Sequence, residues 1–67
     1  MAQLSIREQR FVNNFVGSCD PREYGWEINL EADLASYRYP HSSAVRSAVN
    51  RLMGQKRKGT WTPLPEA

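Results

Sequence analysis

The sequence predicts a mainly α, one-domain fold of three helices, and three observations carry that reading. Phe11, Val12, Phe15 and Val16 recur at helical spacing behind a capping signal. Ala44, Val45, Ala48, Val49, Leu52 and Met53 form a second and cleaner apolar stripe. Between the two lies a corner at Pro40, which disfavours α geometry at Tyr39 and ends whatever helix precedes it. The predicted helices are about 6–16, 30–37 and 42–53, all within a single domain spanning 1–67.

The first helix opens on Ser5 and Glu8, a capping box in which each residue satisfies a backbone N–H of the other. Leu4 and Ile6 extend its stripe, and Gly17 is the expected terminator. GSCDPREYG at 17–25 is loop by composition. Trp26, Ile28 and Leu30 then alternate with Glu27 and Asn29, which favours a short extended segment. Asn29 caps a second helix over about 30–37, with Glu31 and Asp33 in the first turn where the helix dipole favours acids.

Ser42 or Ser43 caps the third helix. At 100° per residue its apolar positions fill about half the wheel. Ser43, Arg46, Ser47, Asn50 and Gly54 fill the other half, with Arg51 at the edge and Gly54 as a stop. Beyond it come the basic run Lys56-Arg57-Lys58 and the β-favouring Thr60-Trp61-Thr62, bounded by Pro63 and Pro65. With short strands near 26–30 and 59–64, segment 55–64 would form a wing.

Composition narrows the function classes. A chain of 67 residues has only a modest core and no room for a deep substrate pocket. One cysteine, Cys19, excludes an internal disulfide and suits a reducing cytoplasm. No apolar run approaches the roughly 20 residues that span a bilayer, and the N-terminus lacks the apolar core of a signal peptide, so no membrane role is expected. Net charge is only +2, but it is segregated. Residues 1–33 carry three arginines against six acids, whereas residues 34–65 carry six basic residues and no acid. Such a span is a footprint for a polyanion.

Two helices around a tight corner, the second with a polar and basic outer face, are the parts of a helix-turn-helix. Ala35 supplies a small residue where the two helices would meet, and Val45, ten positions on, supplies the inward branched one. The corner differs from the common form in holding Tyr39 and Pro40 where glycine is frequent. The function expected is sequence-reading binding of double-stranded DNA. Arg46 can fork onto guanine and Asn50 onto adenine, with Ser43 and Ser47 beside them as base contacts. His41 and Ser42 lie near a helix N-terminus suited to phosphate, while Arg51, Lys56, Arg57 and Lys58 would hold the flanking backbone.

LSIREQRFVNNFV resembles the opening of the small terminase subunits of tailed phages, and ADLASYRYPHSSAVRSAVNRLM resembles a later segment of that family. Ala35, Tyr37, Ser43, Ala44, Arg51 and Leu52 match, whereas Ser36 replaces a glycine and both loops are longer. The resemblance covers roughly residues 4–16 and 32–53. It implies a phage or prophage source, hence a bacterial host's cytoplasm, and a DNA-binding helix-turn-helix that recognises packaging sites. In that family an oligomerisation region follows the domain, so the resemblance implies either an excised domain or a chain to which packaging does not transfer. The tail gives a second resemblance, to small winged-helix phage regulators, which implies transcriptional control and places Lys56, Arg57 and Lys58 beside a wing.

No enzyme chemistry, cofactor or metal is expected. His41 and Cys19 are the only residues of their kinds and sit in loop-like contexts, so neither a zinc cluster nor a Cys–His nucleophile pair is indicated. The acids lack the order of a calcium loop, and no glycine-rich phosphate loop is present. Trp26 and Trp61 read as core residues. A pseudo-palindromic target would require a homo-oligomer. The competing reading is a protein-interaction module, such as a phage-encoded inhibitor or adaptor of a host protein, working through Glu23, Glu27, Glu31 and Asp33.

Overall fold

A computed structural model describes residues 4–39 and 42–65. Among the described residues there are three helices: α1 (Ile6–Ser18), α2 (Trp26–Ser36) and α3 (Ser43–Lys58). The chain is mainly α, as the two apolar stripes require, and no strand occurs among the described residues. Both expected strands are therefore replaced, one by a helix and the other by an irregular strap.

α1 is capped as the sequence dictates. The Glu8 amide donates to Ser5 Oγ at 3.1 Å, and the Ser5 amide donates to Glu8 Oε1 at 3.0 Å. Phe11, Val12, Phe15 and Val16 are buried; α1 packs chiefly on α3, while Phe15 meets Trp26 of α2 and Phe11 meets Tyr37 and Tyr39 just after α2. Gly17 does not end the helix; Ser18 is still helical, with its hydroxyl donating to the Asn14 carbonyl at 2.8 Å, and Cys19 turns extended.

α2 starts four residues earlier than expected. Gly25 takes a left-handed conformation (φ 86°), which turns the chain abruptly into the helix. Trp26, Leu30 and Leu34 are buried at four-residue spacing, and Ile28, 74% exposed, points away from them. The apparent alternation at 26–30 was thus one helical row plus one outward residue. Glu31 consequently lies in mid-helix, and only Glu27 is acidic in the first turn.

The end of α2 is a Schellman motif. Tyr39 N–H donates to the Leu34 carbonyl at 2.7 Å and Arg38 N–H to the Ala35 carbonyl at 3.1 Å. This closure needs a left-handed residue, and Arg38 occupies it at φ 65°. α3 ends in the same way, with Thr60 N–H on the Gln55 carbonyl and Gly59 N–H on Lys56, but there the left-handed residue is Gly59 (φ 79°). Gly54 is passed through as an ordinary helical residue, so α3 runs five residues beyond the predicted end and takes Lys56, Arg57 and Lys58 into its last turn.

Val45, Ala48, Val49, Leu52 and Met53 join the α1 and α2 rows in one core, with no buried polar residue among the described residues. Residues 60–65 fold back along α1 and form no wing. Asn13 clasps Leu64 in both directions, its Nδ2 donating to the Leu64 carbonyl at 3.0 Å and its Oδ1 accepting from Leu64 N–H at 2.7 Å. Trp61 lies against Gly17, and Leu64 packs on the core.

Candidate nucleic-acid interface

α3 divides into two faces because its apolar residues repeat at three and four positions. Opposite the buried row lie Ser43, Ser47, Asn50 and Gly54, all exposed, with Arg51, Arg57 and Lys58 exposed along the margins. The helix contains no acidic residue from Ser43 to Lys58. Its outer face is therefore low in profile and bordered by cations. Sixteen residues give it a length of about 24 Å.

Not every residue expected on this face belongs to it. The Arg46 guanidinium forks onto Glu31 of α2, Nε to Oε2 at 2.8 Å and Nη2 to Oε1 at 2.7 Å. It lies at the edge of the outer face, with its side chain 28% exposed. The hydrogen bonds from Arg46 hold the Glu31 carboxyl below its ordinary range, and the same pairing raises Arg46.

Lys56 points inward. Its ammonium donates to the carbonyls of Val16 (2.6 Å), Gly17 (3.2 Å) and Cys19 (2.7 Å), which the end of α1 leaves unpaired. It also lies 5.5 Å from the centroid of Trp61. Lys56 is a cap for α1 and a seat for the strap. Arg57 shares its guanidinium, one Nη donating to the Pro21 carbonyl at 3.1 Å while the residue stays exposed.

Ser42 serves as the α3 cap, accepting from Val45 N–H at 3.3 Å, and donates its hydroxyl to Glu8 Oε2 at 3.2 Å. A carboxylate thus already stands beside this helix start, which disfavours a phosphate there. His41 lies outside the described residues. Ala35, expected where the two helices meet, is exposed, whereas its neighbour Leu34 is fully buried in the core.

The acidic residues gather elsewhere. Glu23, Glu27 and Glu31 are exposed on or before α2, beside the fully exposed Tyr24 and the exposed Ile28. Asp33 lies on the opposite side of α2, where it lines a cleft against α1. Among the described residues no group of three His, Cys, Asp or Glu could hold a metal, and no helix is long and apolar enough to cross a membrane. Burial, above all, raises the Cys19 thiol, with the charge of Glu23 adding to it, and this keeps it protonated at neutral pH.

The residues that sequence reasoning missed are those whose partners lie far along the chain. Lys56 meets carbonyls 37–40 positions away, and Asn13 meets Leu64 across 51. Only the folded path joins them. The chain matches no family model, no curated protein and no solved structure.

Proposed function

We propose that this chain is a double-stranded DNA-binding module that lays the outer face of α3 in the major groove, of phage origin and acting in packaging-site recognition or transcriptional control. The observation that carries the reading is that face itself. It is acid-free and about 24 Å long, with small polar residues along its middle and arginine and lysine along its sides. Small residues allow close approach to base edges, and marginal cations meet the phosphates on either side. Gly54 adds weight, since nothing lies within 4 Å of where its side chain would be and the fold gains nothing from a glycine there.

In this reading Asn50, Ser43 and Ser47 reach base edges, and Arg51, Arg57 and Lys58 hold phosphates. Arg46 contributes only after leaving Glu31. Lys56 and Ser42 serve the fold. Fluorescence anisotropy of a labelled mixed-sequence duplex at low salt tests the proposal. Binding that weakens on every sequence with Arg51→Ala, with a salt slope shallower by about one, is the expected result. Asn50→Ala should cost about 1–3 kcal/mol on the preferred site only. No binding at low salt would overturn the reading.

The protein-interaction reading rests on a different observation. Tyr24 and Ile28 stand exposed beside Glu23, Glu27 and Glu31, an apolar pair within an acidic surround. Absence of duplex binding, together with a host protein lost from pull-downs on Ile28→Ser, would select it.

A further inference from the structure

We infer that the cleft between α1 and the end of α2 holds an unpaired base of single-stranded nucleic acid, with the strand's phosphates at its rim. The cleft is about 350 Å3, and its walls are aromatic. Phe11 meets Tyr37 edge-on at 5.3 Å and Tyr39 edge-on at 6.0 Å, and Tyr37 remains 57% exposed at the mouth of the cleft it lines. Asn14, exposed on α1, lines the same cleft and brings an amide donor and acceptor suited to a base edge.

The rim is cationic. The Arg7 guanidinium lies over Tyr39, 5.9 Å from the ring centroid. Arg7 and Arg38 line one depression with Tyr37 and Tyr39, which opens beside the cleft. Arg38 adds a second cation beside the aromatic rings. The protein closes two helices with the same motif and uses glycine at one, but at this one it keeps an arginine in the left-handed region despite the steric penalty. What arginine adds over glycine is a cation next to Tyr37.

Asp33, an exposed residue of α2, lines the same cleft. A carboxylate there repels phosphate and can accept from an exocyclic amine, which favours a base over the backbone beside it. A planar, π-faced and anionic ligand fits this arrangement better than an acidic peptide, which brings charge without a plane. The site uses no residue of the α3 outer face and stands independently of the duplex reading.

The test is anisotropy with a labelled single-stranded oligonucleotide, the same length carrying abasic sites, a mixed-sequence duplex and a glutamate-rich peptide. The single strand is expected to bind, and the abasic strand to lose most of that affinity. Tyr37→Ala should weaken single-strand binding roughly tenfold and leave the duplex unchanged. Arg38→Gly relieves the backbone and so folds at least as well; it should weaken single-strand binding and make the salt slope shallower by roughly 0.7. Arg51→Ala should spare it. Equal binding of abasic and normal strands, full affinity in both Tyr37→Ala and Arg38→Gly, or tighter binding of the peptide would each overturn the inference.

Discussion

Lys56 shows how a residue's chemistry is decided by what surrounds it. Three carbonyl acceptors satisfy its three donors, and a charged hydrogen bond of this kind contributes about 1.5–3 kcal/mol. Lys56→Met should therefore lower stability by about that much in urea unfolding, while duplex affinity below the transition stays near wild type. A mutant of full stability and weakened DNA binding would place the ammonium on phosphate instead. Glu31 gives the matching pH prediction. Its carboxyl is held below the ordinary 4.5 by Arg46, so the stabilisation it supplies is present above that value and lost as pH falls through the folded-state value. Thermal unfolding across acid pH should lose part of its steepness in Glu31→Gln, and parallel curves would contradict the link. The same substitution removes a carboxylate beside α3, weakens the hold on Arg46 and should raise duplex affinity. Neither role was legible in the sequence. Arg46 sits at the border of the polar arc, where a few degrees decide between solvent and α2.

Among the elements, α1 was readable nearly to its end, because the capping box and the four buried residues of its stripe are local signals. α2 was misread at its start since Trp26, Ile28 and Leu30 satisfy a two-residue period as well as a four-residue row, and only Leu34 and the exposure of Ile28 separate the two. α3 was cut short at Gly54, whose intrinsic cost of about 1 kcal/mol is outweighed by the residues after it and by Lys56 reaching α1. That cost yields a prediction. Gly54→Ala should raise stability by about 1 kcal/mol in chemical unfolding and at the same time weaken duplex binding, because the added methyl stands on the face proposed for DNA. Improved stability with undiminished affinity would remove α3 from the groove. Arg38→Gly should likewise stabilise, by roughly 0.5–1 kcal/mol after the greater freedom of unfolded glycine is counted.

For the whole molecule, the margin is narrow. A chain this size holds roughly 3–10 kcal/mol of stability, and Leu34→Ala, at a fully buried site, removes about 2–5 of it. That variant should be largely unfolded by circular dichroism at 37 °C or close to it. Electrostatics give a sharper check. With only Arg51, Arg57 and Lys58 uncovered along α3, the logarithm of duplex affinity should fall with the logarithm of salt at a slope of about −3. A slope near −5 would mean that Arg46 and Lys56 abandon Glu31 and the α1 carbonyls on binding. The charge segregation that suggested a polyanion partner was plain in the sequence. Which cations the fold keeps for itself was not.

The Asn13–Leu64 clasp bears on how the chain is made. Ribosomes deliver α1 well before the strap, so the part of α1 that the strap covers stays open while α2 and α3 are made. Until Trp61 and Leu64 emerge, nascent copies on neighbouring ribosomes carry that uncovered patch, and transient apolar exposure makes it a place for association.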